Sequence, residues 1–397
     1  MRRRAMSLRV LIITSQFPIA GEPNRGRPVF QTVRELAKRA TVRVLSPVAV
    51  YPRLLQPKSY LARAPGDNPV AAEVDVRYVR YGAIPALTRP FNGHLAARAI
   101  ASEAADFAPD VVLSYWLYPD AFAAQRVARR LRVPFVAGAR GSDIRVRDAI
   151  SRRLTRGVVR GARRLLVVSA DLGRLAVSDY GGDPARVRVI PNGCDAAIFH
   201  PRERAPARAA LGIADDAELL LYVGRLVPEK GLRELFDACT ALAVARPRLR
   251  LVLVGDGPMR AELEARIARD APWASLAGAQ PPAQVAQWFA ASNLLALPTY
   301  SEGHPNVLVE ALACGRPAVT TPVGGIPEVV DDSVAILVLP RTVEPLRAAL
   351  AAALDRDWDE AALGARFSRD WSQVATETLV ACEEALAETR GKAALKD

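Results

Sequence analysis

Two glutamates, Glu302 and Glu310, stand in the stretch LPTYSEGHPNVLVEALACGRPAVTTPVGGIPEVV, Leu297 to Val330. Taken alone, a pair at this spacing is the solvated side of a helix. The surroundings argue for chemistry. An apolar strand is expected to end at Pro298, and a helix to begin near Gly303 or Pro305 and close at Gly315, with proline in the first turn and glycine just past the end. The free N–H groups and dipole of such a helix start favour an anion such as a phosphate. Two carboxylates there would repel phosphate unless they accept hydrogen bonds from sugar hydroxyls, and that division of labour suits a nucleotide sugar. If Glu302 joins the first helical turn, both glutamates share one side of the helix.

A second stretch, LLLYVGRLVPEKG, Leu219 to Gly231, supplies the opposite charge. Its strand ends in Gly224 and presents Arg225, then Lys230, before a helix opening at Gly231. An arginine fork holds a phosphate through two contacts and a lysine acts as a point charge. Together they can neutralise a departing diphosphate.

The elements that position these residues follow from the apolar rhythm. Short β-branched runs alternate with Ala/Arg/Leu-rich stretches of helical period, which is the signature of βα units around a parallel sheet. Strands are expected at Arg9–Phe17, Thr41–Val48, Val74–Tyr81, Val111–Trp116, Pro134–Ala139, Leu165–Ser169 and Val187–Ile190. The rhythm restarts after a charged, Pro-bearing linker, His200–Ala210, with strands at Leu219–Val223, Leu249–Val254, Leu294–Pro298, Ala318–Thr321 and Ala335–Val338. The expected fold class is α/β: two Rossmann-like, doubly wound parallel-sheet domains, 1–200 and 201–370, facing a central cleft. A last helix, Trp371–Arg390 within 371–397, is expected to return toward the first domain. Ligands of open α/β sheets bind outside the carboxyl ends of the strands, where both motifs fall.

The bulk properties agree with this plan. A chain of 397 residues, half of them apolar, supports two cores of roughly 150–200 residues each. The four cysteines, Cys194, Cys239, Cys314 and Cys382, form no C-x-x-C pair, and three histidines add little to a metal site; no metal is expected, and a reduced, cytoplasmic setting is. The basic N-terminus reads as the approach to the strand RVLIIT rather than as a leader. No apolar stretch reaches the roughly 18–20 residues of a spanning helix.

The charge is lopsided. Residues 1–200 carry 33 Lys+Arg against 15 Asp+Glu, whereas residues 201–397 carry 21 against 27. The first half therefore favours an anionic partner. Within it, Arg140 to Arg164 holds nine arginines, and Arg145, Arg152, Arg156, Arg160 and Arg163 recur at near-helical spacing. A peripheral dock on anionic membrane at the inner face of the cytoplasmic membrane is the expected use. Nucleic acid is not, because aromatics make up only 6% of the chain and none interleave with this run. Asp357-Trp358-Asp359 has the form of a metal-binding D-x-D but follows no mid-domain strand. No G-x-G-x-x-G follows the first strand, which disfavours a dinucleotide enzyme. His94 and His200 are expected to be structural or exposed.

In order and spacing, GRLVPEKG, LVLVGDGP (Leu251 to Pro258) and EGHPNVLVEALACGRPAVTTPVGGIPEVV resemble family 4 of the retaining GT-B glycosyltransferases, and RVIPNGCDAAIFHP and VLSYWLYPD…ARGSDI extend the resemblance over nearly the whole chain. The resemblance implies that Arg225 and Lys230 meet the donor diphosphate, that Glu302 touches the donor sugar, and that Glu310 holds the ribose hydroxyls. Gly303, His304 and Asn306 would line the sugar and phosphate, Val307 and Leu308 the nucleoside, and Gly255, Asp256 and Gly257 the loop approaching the nucleotide. His304-Pro305 replaces the family's frequent aromatic and glycine, which suggests a cell-surface polysaccharide subgroup similar to teichuronic-acid-type enzymes. Arg140 stands where many relatives carry a histidine before Gly-Ser-Asp, and with Asp143 it is placed on the acceptor side. Gly21 or Gly26 is expected to let the backbone approach the phosphates. The implied activity is metal-independent, retaining transfer from a nucleoside-diphosphate sugar, a UDP-sugar above others, to a lipid-linked or saccharide acceptor. A phosphorylase or a nucleotide-sugar epimerase is the alternative within the fold, and a basic nucleic-acid-binding protein the alternative outside it.

Overall fold

The computed structural model describes residues 7–19, 22, 25–52, 73–85, 87–146, 148–367 and 369–394. They divide into two compact units. One comprises residues up to Gly193 together with those from Trp371 on, and the other is Cys194–Asp370.

The first unit is built on a sheet of β1 (Arg9–Ile13), β2 (Thr41–Val50), β3 (Asp75–Gly82), β4 (Val111–Tyr115), β5 (Phe135–Ala139), β6 (Arg164–Val167) and β7 (Val187–Val189). All neighbours are parallel, in the order β3-β2-β1-β4-β5-β6-β7. The second unit contains β8 (Glu218–Val223), β9 (Leu249–Val254), β10 (Ala274–Gly278), β11 (Leu294–Leu297), β12 (Ala318–Thr320) and β13 (Ala335–Leu337). Its parallel order is β10-β9-β8-β11-β12-β13. Both sheets are doubly wound, and the direction of winding reverses between β1 and β4 and between β8 and β11. Such switch points open a crevice beyond the strand ends.

Central strands buried on both faces read as unbroken apolar runs. Every residue of β4 (VVLSY) and of β11 (LLAL) is buried. The helix Leu232–Ala245 covers the second sheet with Leu232, Leu235, Phe236, Cys239 and Leu242, spaced along one helical stripe. At the first switch point the polar strand ends tie to one another. Ser114 Oγ donates to the Ile13 carbonyl, and Thr14 Oγ1 donates to the Tyr115 carbonyl at 2.9 Å.

Two expectations change. Strand β10 was not anticipated, because ASLAG carries no β-branched residue and lies at the sheet edge with only its first residue buried. The expected linker His200–Ala210 contains part of a helix, Arg204–Leu211, that belongs to the second unit. Its Arg208 is only 3% exposed. The guanidinium donates to the carbonyls of Ala291 and Ala217, both at 2.9 Å, and to Asn293 Oδ1 at 2.8 Å. A charged residue within the expected linker is thus a buried anchor, satisfied by carbonyls that sequence alone does not bring near.

The final helix, Trp371–Ala394, lies on the first sheet. Val374, Ala375, Ala381, Cys382 and Ala385 join a core with Val10, Ile12, Val111 and Leu113. Glu384 pairs with Arg164 at 2.7 Å and Arg188 at 3.1 Å.

Candidate active site

Four loops meet beyond the carboxyl ends of β8, β9, β11 and β12 in the second unit. After β8, Tyr222 donates its buried hydroxyl to the Arg225 carbonyl at 2.8 Å, which shapes the turn that leaves the Arg225 side chain exposed. The loop then runs through a short 3-10 turn, Pro228–Lys230, to Gly231. The Glu229 carbonyl accepts from the Tyr300 amide at 2.8 Å and from Thr299 Oγ1 at 3.3 Å, stitching this loop to the one after β11. On the other side, the Leu226 amide donates to the Asp256 carbonyl at 2.9 Å and the Met259 amide to the Leu226 carbonyl at 3.0 Å. These bonds bring the Gly255-Asp256-Gly257 turn against the same loop.

At the junction Lys230 Nζ donates to Glu302 Oε1. The two side chains are 22% and 14% exposed, so the pair is half-sheltered and its attraction is less screened than that of a surface pair. Glu302 is held from behind by a fourth loop. Gly324 has φ +59°, and a β-carbon there would meet the Glu302 carbonyl oxygen at 1.9 Å. Only glycine allows this approach without moving the Glu302 backbone. Arg225 makes no ion pair among the described residues, so its guanidinium remains available to an anion.

The helix after β11 begins at Asn306, with Pro305 in the capping position, and runs to Ala313. Glu302 therefore lies in the preceding loop and does not share a helix side with Glu310, contrary to the expectation from their spacing. The chain turns tightly into the helix at Pro305, which has φ −83° and ψ 76°, and the Asn306 amide donates back to the His304 carbonyl at 3.0 Å. His304 Nδ1 and Asn306 Oδ1 lie 3.1 Å apart, so the ring donates from Nδ1 and the amide oxygen accepts. Val307 is half-buried, whereas Leu308 is fully buried in the core and its side chain cannot line a ligand. Glu310 is half-buried, and its charge, after desolvation, helps push the Cys194 and Cys314 thiols well up. Both thiols are therefore unreactive at neutral pH.

The corresponding end of the first unit departs further from expectation. Gly21 lies outside the described residues. Gly26, at φ +57°, caps the helix Arg27–Ala37, and a β-carbon on it would meet the Gln16 carbonyl oxygen at 2.1 Å. The space its hydrogen leaves is filled by the chain's own loop rather than left to a phosphate. Arg140 stacks its guanidinium over Tyr115 at 4.4 Å and donates to Asn192 Oδ1. Asp143, 4% exposed, accepts from the amides of Arg140 and Gly141 at 2.9 Å and of Leu117 at 3.1 Å. Both carboxylate oxygens are committed to the backbone, so Asp143 holds the loop and is not free to accept a substrate proton.

The acid at this end that motif reading missed is Asp120. It is 1% exposed, accepts from the Ser15 amide beyond β1, and burial pushes its pKa up to about 7. Its one sequence signal is its place shortly after a central strand, in Tyr-Pro-Asp. Nearby, beyond β2 to β5, a cavity of about 700 Å³ is walled by Trp116, Tyr118, Asn92, Arg89 and Arg145 among others. Trp116 holds φ 93°, a conformation that a residue with a β-carbon adopts at a cost of about 1–3 kcal/mol and that clusters at functional sites. Asn92 Oδ1 is buried with no hydrogen-bond partner among the described residues.

The expected basic face is partly spent inside the fold. Arg145 pairs with Asp171, Arg152 lies 3.9 Å from Asp179, and Arg156 donates to the Asp179 carbonyl at 3.2 Å. Asp359 of the D-x-D triplet accepts from the Ala362 amide at 2.9 Å and caps a helix. Among the described residues no cluster of His, Cys, Asp or Glu is placed to hold a metal ion, and no helix is long and apolar enough to cross a membrane.

Residues 26–198 match Glycosyltransferase Family 4, and residues 217–356 match Glycosyl transferases group 1. The chain is a glycosyltransferase, with its family 4 match almost all in the first unit. This glycosyltransferase is 29% identical over 358 residues to the "Putative teichuronic acid biosynthesis glycosyltransferase TuaC" of Bacillus subtilis, covering 86% of this chain and 88% of that one. It is 36% identical over 253 residues to a D-inositol 3-phosphate glycosyltransferase of Frankia alni, covering 58% of this chain and 61% of the relative. Among solved structures, Anabaena Alr3699/HepE in complex with UDP superposes with a TM-score of 0.70 at 19% identity, over 96% of this chain and all of that one. The transferase has the GT-B fold, with one Rossmann-like sheet in each unit.

Proposed function

We propose that this transferase moves a sugar from a nucleoside-diphosphate sugar, in the first instance a UDP-sugar, to a lipid-linked or saccharide acceptor with retention at the anomeric carbon. The observation that carries this reading is the Lys230–Glu302 pair at the β8/β11 switch point, with Arg225, which enters no ion pair among the described residues, on the same loop. An ammonium and a guanidinium can take the charge of a diphosphate, and the carboxylate beside the ammonium can accept from a sugar hydroxyl. Gly255, Asp256 and Gly257 on one side and Gly303, His304 and Asn306 on the other frame the same loops; Glu310 serves the ribose.

As the anomeric C–O bond breaks, its electron pair passes to the β-phosphate, where Arg225, Lys230 and the helix start at Asn306 stabilise it. The acceptor oxygen bonds to the anomeric carbon on the same face and its proton passes to the leaving phosphate, with no metal ion required. The cavity walled by Trp116 and Tyr118 suits an acceptor sugar, since aromatic faces stack on apolar sugar faces. A role in cell-surface polysaccharide assembly is supported by the extent of the similarity to a relative named for teichuronic acid biosynthesis, and a peripheral seat on the inner membrane face by the basic first unit.

The test is thermal denaturation with UDP, GDP and ADP sugars, followed by product anomer assignment by NMR, with and without EDTA. Stabilisation by one donor and a retained anomer insensitive to EDTA are expected. A folded protein that no nucleotide sugar stabilises would falsify the donor assignment.

A further inference from the structure

On the first unit, away from the strand ends, a pocket of about 410 Å³ opens between the helix Asn92–Ala99 and the helix Phe122–Leu131. Four arginines line it: Arg98 from one helix and Arg126, Arg129 and Arg130 from the other. Its lining contains no carboxylate, and among the described residues none of the four enters an ion pair. This separates them from Arg145 and Arg152, whose charges face the carboxylates of Asp171 and Asp179. The pocket floor is apolar, with Val127 and half-buried Leu131, and His94 adds an imidazole beside Arg126. Four unanswered guanidiniums around one concavity repel each other and are stabilised together by an anion that accepts several N–H donors at once.

We propose that this pocket is a second anion site, distinct from the donor loops, that binds a phosphate group. The oxygens of a phosphate match the guanidinium forks, and the apolar floor accommodates whatever the phosphate is attached to. A lipid headgroup and a soluble phosphorylated compound share this chemistry, and the two are separable by experiment.

The experiment uses the full chain carrying Arg225→Ala and Lys230→Ala, so that the donor loops contribute nothing. Pyrophosphate binding is measured by calorimetry, and co-sedimentation with phosphatidylcholine vesicles containing phosphatidylglycerol at low and high salt. Each is repeated with Arg126→Gln/Arg130→Gln and, as a control for diffuse charge, with Arg153→Gln on the exposed face of the helix Ala149–Gly161. A tenfold or greater loss in Arg126→Gln/Arg130→Gln with no change in Arg153→Gln is expected in at least one arm. Loss in the pyrophosphate arm identifies a soluble phosphate ligand, and loss in the vesicle arm alone a lipid headgroup. Equal losses in both variants, or no loss in either arm, would overturn the proposal. The arginines substituted in the pocket and in the control are solvent-exposed, and each variant is compared with the Arg225→Ala/Lys230→Ala background after its folding is checked by circular dichroism, so either result is readable.

Discussion

Lys230 and Glu302, far apart in sequence, form one ion pair where the loops after β8 and β11 meet. Removing one partner strands the other in a half-sheltered site. Lys230→Ala is expected to lower stability in urea by about 1–3 kcal/mol, and the double variant Lys230→Ala/Glu302→Ala to lose less than the sum of the single changes, by ~0.5 kcal/mol or more. Strictly additive losses would show that the pair carries no coupling.

Arg225 is exposed and enters no ion pair among the described residues, so it tests chemistry apart from folding. Arg225→Ala is expected to reduce kcat by about 10²–10³-fold, the loss typical of one donor to developing charge, while stability stays within ~0.5 kcal/mol. Steady-state kinetics beside a urea melt measures both. An unchanged kcat would remove Arg225 from the reaction.

Gly324 gives a backbone test of the same site. Gly324→Ala must push the Glu302 carbonyl away or leave φ +59°, and the expected cost is about 1–3 kcal/mol. Because Glu302 moves with it, KM for the donor should rise. A variant with native stability and native KM would show that the Glu302 backbone position is not held from this side.

Asp120 sets a pH dependence. Its carboxyl keeps a proton up to about pH 7 in the native state, against an ordinary value of 3.8. Between those values the native chain binds more protons than the unfolded one, so this group's contribution to stability falls as pH rises through the window, by at most about 1.4 kcal/mol per pH unit. Asp120→Asn, which still accepts from the Ser15 amide, is expected to melt above the wild type at pH 8, with the gap closing toward pH 5. A gap that does not vary with pH contradicts the buried, raised carboxyl.

Arg208 separates burial from charge. Arg208→Met fills similar space but leaves the carbonyls of Ala217 and Ala291 without their donor. The expected loss is about 3 kcal/mol or more, because orphaned buried acceptors bear their full desolvation cost. Denaturant titration decides it.

Much of this was legible in the chain itself. The alternation of apolar runs with helical stretches marks both doubly wound sheets, because buried parallel strands must be continuously apolar. The cations Arg225 and Lys230 and the acid Glu302 could be named from residue type and from their place just after strands. Strand β10 was hidden because an edge strand with one buried residue needs no apolar run. The burial of Leu308 and the hold of backbone amides on Asp143 were hidden for a shared reason: a motif gives a residue's position along the chain but not which way its side chain turns or which amides reach it first.

The Lys230–Glu302 pair shows where the two kinds of information part. Sequence alone determined that a phosphate-binding cation and a sugar-binding acid follow two different strands, since local patterning and residue chemistry are properties of short segments. Only the tertiary structure decided that β8 and β11 are neighbours, that Glu302 stays outside the helix, and that Gly324 braces it. It also showed that Arg145 and Arg152 face carboxylates, while among the described residues the arginines around His94 enter no ion pair. Those outcomes depend on which distant segments pack together, and sheet order and side-chain direction are settled by burial across the whole fold.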